Sequence, residues 1–110
     1  MIFEQLKSIA EQLFRDCFEV LSHKGRSYST RQDELQNFKD LGYLLQLDPK
    51  YVCMIYLMKH IYSISSMVRG EKLDTEGIYG RVLDAINYLI LLYALFEEEK
   101  KNEENKCQNT

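Results

Sequence analysis

Arg81, Asp84 and Asn87 stand three residues apart in the stretch Gly80-Arg-Val-Leu-Asp-Ala-Ile-Asn-Tyr-Leu-Ile-Leu-Leu-Tyr-Ala-Leu-Phe96. Three residues is nearly one helical turn, so Arg81 shares a face with Asp84, and Asp84 with Asn87. The rest of the stretch is apolar, and after Asn87 no charge appears until Glu97. A helix of this composition must be covered on most of its circumference, and a covered aspartate needs a partner. Asp84 therefore belongs either to a ligand or metal site or to a structural ion pair.

Two further clusters carry chemistry. Lys59-His60 interrupts an apolar helical pattern that includes Val52, Ile55, Tyr56, Ile61 and Ile64. The connection Lys24-Gly-Arg-Ser-Tyr28 sets two cations, a phenol and a hydroxyl beside a glycine. Cations and hydroxyl donors suit a phosphate-bearing ligand, and Tyr28 could stack on a base. A structural role is open for each residue. Lys24 and Arg26 would complement the C-terminal end of a helix, Lys59 would pair with Asp84, and His60 would be a satisfied core histidine. Their joint occurrence at breaks in apolar helices favours a polar pocket. No G-x-S-x-G, phosphate loop or H-E-x-x-H is present.

The elements that must position these residues are helical. One proline and five glycines in 110 residues leave few breakers. A first helix is expected from about Ile2 to His23, with Ile2, Leu6, Ile9, Leu13, Phe14, Cys17, Phe18 and Leu21 at helical spacing; Phe14 and Phe18 are the bulkiest of these. Thr30-x-x-Asp33 signals the cap of a second, from about Arg31 to Gln46, with Leu35, Phe38, Leu41 and Leu45 inward and a weak point at Gly42. Asp48-Pro49 starts a third, which runs to about Arg69 and stops at Gly70. Asp74 or Thr75 caps a fourth that continues to about Lys101. The expected fold is an all-α four-helix bundle over residues 1–101, followed by a frayed polar tail, 102–110. The fourth helix is expected to be central, and its apolar circumference to demand a homo-oligomer.

Composition narrows the function classes. The net charge of −3 is mostly in residues 97–110, which carry five Glu and three Lys, so it indicates neither direct DNA binding nor a membrane surface. The apolar run Ala85–Phe96 is too short to cross a bilayer. No signal peptide is visible, and Cys17, Cys53 and Cys107 form no CxxC pair, so three free thiols in a host-cell cytoplasm are expected, with no thiolate zinc site.

The pattern Lys24-x3-Tyr28, Asn37-Phe38, Lys59-His60 and Arg81-x2-Asp84-x2-Asn87-Tyr88-Leu-x-Leu-Leu resembles the nucleotide modification associated domain family of small phage and prophage proteins, formerly a domain of unknown function. The resemblance covers roughly residues 15–98. More distantly, the chain is similar to the MazG-like all-α nucleoside triphosphate pyrophosphohydrolases. These are usually oligomeric and hold magnesium with a Glu-x-x-Glu pair and a Glu-x-x-Asp pair. Asp84 falls on the aspartate of the second pair, but Arg81 replaces its first acid. Leu57-Met-Lys-His-Ile-Tyr-Ser63 occupies the place of the other pair without a carboxylate. Magnesium wants several oxygen ligands, so the resemblance implies a pocket changed from metal-holding to cationic. The expected function is non-catalytic nucleotide binding by a phage or prophage protein, for example sequestering a nucleotide or cyclic oligonucleotide signal of host defence. The site would comprise Lys24, Tyr28, Asn37, Lys59, His60, Arg81, Asp84 and Asn87, with no catalytic residue and no cofactor. The alternatives are a divergent pyrophosphohydrolase, which would need magnesium, and a helical protein–protein inhibitor or adaptor.

Overall fold

In the computed structural model the backbone is described for residues 1–28, 33, 35–71 and 77–108, and side chains for 1–22, 33, 35–71 and 77–106. Four helices form, in the order α1 (Phe3–Tyr28), α2 (Gln36–Leu45), α3 (Pro49–Val68) and α4 (Gly77–Gln108). No strand occurs among the described residues. The chain is an all-α bundle in which α2 and α4 pack on α3, and α1 packs on α4.

The start and stop of α3 follow from its sequence. The Asp48 carboxylate accepts from the Lys50 amide at 2.9 Å, and Pro49 takes the first turn, where its missing N–H costs nothing. Gly70 closes the helix at φ 82, a backbone region that a side chain disfavours. At the other boundaries the structure differs from the expectation. The first helix does not end at His23. It runs through the Lys24–Tyr28 connection, because one glycine in a long helix costs only about 1 kcal/mol. The proposed Thr30 cap lies outside the described residues. Asp33 accepts from the Leu35 amide at 2.9 Å and so prepares the start of α2 at Gln36. Gly42 is a close approach and not a weak point. A Cβ there would meet the Leu47 carbonyl oxygen at 2.6 Å. The turn after α2 folds back on this glycine, with the Leu47 amide donating to the Gly42 carbonyl at 2.9 Å and Gln46 left-handed. The Asp74 and Thr75 caps also lie outside the described residues. Past Lys101, α4 continues as helix to Gln108, exposed through Lys106; Glu103, Glu104 and Lys106 are strong helix formers.

The core lies where α2, α3 and α4 meet: Leu35, Phe38, Val52, Cys53 and Leu95 are buried, with Tyr56 and Tyr88 packed against them. A thinner contact joins α1 to α4, where Cys17 and Leu83 are buried and the Tyr79 hydroxyl donates to Asp16. The helices leave wide apolar surfaces uncovered. The expectation that α4 is enclosed is met on one side only: Leu83 is buried, Ile86 and Leu92 are partly covered, and Leu89 and Ile90 are exposed. The Cα radius of gyration is 16.8 Å, against about 13 Å for a compact domain of this length. Over Gly77–Lys106, α4 also has the length and mean hydropathy of a membrane-crossing helix. Its uncharged stretch, Ala85–Phe96, is only about 18 Å long at 1.5 Å per residue, short of a ~30 Å hydrocarbon layer.

Candidate functional site

The polar residues of the α3–α4 seam sit where both helices are otherwise apolar. Residues 81, 84 and 88 share one face of α4, and residues 53, 56 and 60 share one face of α3. These faces meet. The Arg81 guanidinium donates through Nη1 to His60 Nδ1 at 3.2 Å. A guanidinium can only donate, so Nδ1 is the acceptor and His60 carries its proton on Nε2 in this arrangement. Asp84 Oδ2 approaches the same Nδ1 at 3.8 Å, too far for a hydrogen bond but close enough for a strong charge interaction once the ring is protonated. The His60 and Asp84 side chains are 15% and 17% exposed, so the island is shielded without being sealed.

An aromatic column continues from this island into the core. The His60 ring lies 5.3 Å from Tyr88, and Tyr88 stacks on Tyr56 at 5.8 Å with the planes 11° apart. Phe38 of α2 closes the column at 6.1 Å from Tyr56 and 6.4 Å from Tyr88. Burial, and after it the neighbouring Asp84 carboxylate, raises the Tyr88 phenol above the usual tyrosine range. Tyr88 therefore stays neutral, and the stacked tyrosines supply flat apolar surface beside a cation and a carboxylate.

Of the expected site residues, the structure joins His60, Arg81 and Asp84 directly. Asn87 is buried one turn further along α4, and neither its Oδ1 nor its Nδ2 has a hydrogen-bond partner among the described residues. An unpaired buried amide costs about 1–3 kcal/mol per group. Lys59 does not reach Asp84. Adjacent helical residues point about 100° apart, so α3 turns His60 inward and Lys59 outward, where its exposed ammonium lies 5.6 Å from the centre of the Tyr56 ring. Asn37 is exposed on α2. The side chains of Lys24 and Tyr28 lie outside the described residues. Tyr88 and Tyr56 escaped selection as site residues, although Tyr88 follows Asp84 by four and Tyr56 precedes His60 by four, the spacing that places them on the same faces.

The cysteines stand apart from this chemistry. Burial pushes the Cys53 thiol up to about 11, and it donates to the Tyr88 carbonyl at 3.4 Å. Burial, then the Asp16 and Asp84 charges, also raises Cys17. Both thiols are thus held in the unreactive protonated form. Among the described residues no three His, Cys, Asp or Glu side chains converge as a metal-holding group would require.

Comparison with protein-family models, with curated proteins and with solved structures found no match.

Proposed function

We propose that this chain captures a phosphorylated nucleotide at the α3–α4 seam and releases it unchanged. The observation that carries the reading is the contact of Arg81 and His60 beside Asp84, at the end of the His60–Tyr88–Tyr56 column. A guanidinium is suited to forked recognition of phosphate, and an imidazole that accepts from it can take up a proton as the anion arrives. Tyrosine rings alongside offer a face for a base, and Lys59 at the outer end of the column adds a second cation. The unpaired amide of Asn87 is a further polar group that a bound molecule or water would satisfy. Capture without turnover rests on the sequence. The paired acids that hold magnesium in MazG-like enzymes are replaced at Arg81 and around Lys59-His60. The resemblance to the phage family makes sequestration of a host nucleotide signal the fitting biological role.

Calorimetry against nucleoside triphosphates and cyclic oligonucleotides, with EDTA present, tests this directly. The expected result is binding that survives the chelator and weakens by about 1–3 kcal/mol in Arg81→Ala, as for loss of a charge-assisted contact. Steady magnesium- or manganese-dependent pyrophosphate release that disappears in Asp84→Ala would overturn the reading in favour of the enzyme. No binding across the panel would move the weight to a helical inhibitor or adaptor, which the uncovered apolar helix faces favour.

A further inference from the structure

α4 is the floor of a groove. α1 and α3 both pack on α4, but not on each other among the described residues. One side of the floor faces α1: the Cys17 thiol lies 4.0 Å from the Leu83 carbonyl, and the Tyr79 hydroxyl, one turn earlier, donates to Asp16. The other side faces α3, where Arg81 donates to His60. Asp84 and Asn87 lie between these two directions. Each helical residue turns by about 100°, so Asn87 stands about 60° from Asp84 toward Leu83, and Arg81 about 60° from it toward α3. Asp84 is felt by both walls. Its carboxylate lies 3.8 Å from His60 of α3, and its charge, after burial and Asp16, raises the Cys17 thiol of α1.

Asn87 is the anomaly in this floor. It is 7% exposed, and neither atom of its amide has a hydrogen-bond partner among the described residues. A leucine of similar size would fill the place without leaving a polar group unpaired. The amide is therefore a group waiting for a ligand.

The three polar residues differ in what they can hold. Arg81 only donates, the Asp84 carboxylate only accepts, and the Asn87 amide offers a donor and an acceptor side by side. They follow one another along α4 at intervals of three residues, about 4.5 Å each. A ribonucleotide carries the complementary groups in the same order. Its phosphate only accepts, its sugar hydroxyls donate, and its base edge sets a donor beside an acceptor. A carboxylate is an established kind of partner for ribose hydroxyls, and it repels a phosphate placed over it.

We infer that a ribonucleotide lies along α4 between α1 and α3, with its phosphate on Arg81, its ribose hydroxyls on Asp84 and its base edge on Asn87. This rests on the nucleotide reading of the seam and adds to it the sugar and the direction of the ligand. Asp84 then selects ribose over deoxyribose, and Asn87 selects a nucleotide over a bare polyphosphate.

Calorimetry of the full chain in EDTA tests it, with ribonucleoside triphosphates, 3′,5′-cyclic dinucleotides, the 2′-deoxy counterpart of each, and inorganic triphosphate. The ribonucleotide that binds best should lose about tenfold or more in its 2′-deoxy form, as for a hydroxyl donating to a charged acceptor. Asp84→Asn, which removes the charge and keeps the shape, should reduce that ratio several-fold. Equal weakening of both sugars would make Asp84 a positioning residue and overturn the assignment. Asn87→Leu should weaken ribonucleotides by about tenfold, leave inorganic triphosphate unaffected, and leave the thermal midpoint of the free chain equal or higher. A lower midpoint would show the amide to be satisfied inside the free protein, and would overturn its role toward the base. Binding that depends on Arg81 but is indifferent to the 2′-hydroxyl would overturn this inference and leave the proposed function standing. No binding of any ligand would overturn both.

Discussion

The two sides of α3 have nearly the same hydropathy and opposite fates. On the inner side, Val52, Cys53 and Leu57 close against α2 and α4, and the helix inserts His60 opposite Arg81 and Asp84. On the outer side, Tyr51, Ile55, Met58 and Tyr62 are each more than half exposed. The inner side can carry a polar island because its apolar neighbours are already satisfied and shield it. The outer side carries no such island and leaves its apolar side chains exposed. Hydrophobic burial fixes the fold on one side and asks for a partner on the other.

The largest expected effect separates these sides. Phe38→Ala removes the ring that closes the Tyr56–Tyr88 column and should destabilise the chain by about 3–5 kcal/mol in urea unfolding, whatever the protein concentration. Met58→Ala on the outer side should instead show a loss that depends on chain concentration, the signature of stability borrowed from association. A concentration-independent loss of the same size in both variants would break the comparison.

A smaller effect tests the turn that seats α2 on α3. Gly42→Ala places a methyl against the Leu47 carbonyl, where backbone and not a flexible side chain must yield, so a cost of about 1–3 kcal/mol is expected. An unchanged unfolding midpoint would show that the close approach relaxes freely. Smaller again is the cap of α3. Asp48→Ala should cost about 1 kcal/mol in thermal unfolding, while Asp48→Asn, which keeps a capping oxygen, should cost little near neutral pH. The hydrogen bond from the Lys50 amide, followed by the Lys50 ammonium, holds the Asp48 carboxyl below the usual aspartate range. A carboxyl depressed in the folded state contributes stability above its unfolded value and loses it as the pH falls toward its folded one. The Asp48 contribution should therefore fade below about pH 4, and Asp48→Asn should flatten that acid limb.

Much of the frame was legible because it depends on local chemistry. Asp48-Pro49 and Gly70 bracket α3 by capping and by left-handed backbone, and the spacing of Leu35, Phe38 and Leu41 marks the inner face of α2, whereas Leu45, expected inward with them, is exposed at the turn, as are Phe14 and Phe18 on α1. The closeness of Arg81 and Asp84 follows from helical spacing alone. What escaped needs tertiary knowledge. Gly42 reads as a helix breaker until the returning Leu47 carbonyl is seen beside it. Lys24–Tyr28 reads as a polar connection after His23, yet α1 runs through it. Lys59 and His60 are adjacent in sequence, and only the orientation of α3 decides that the imidazole, not the ammonium, faces α4. Tyr88 looked like one more apolar residue because its role depends on Tyr56 of another helix.

Sedimentation equilibrium of the wild-type chain beside Met58→Glu tests most directly whether the two sides of α3 differ as described. The wild type should sediment at twice 13.1 kDa at micromolar concentration, and Met58→Glu at 13.1 kDa with its helical content retained. A wild-type chain of 13.1 kDa at every concentration, or a dimer indifferent to Met58→Glu, would contradict the account.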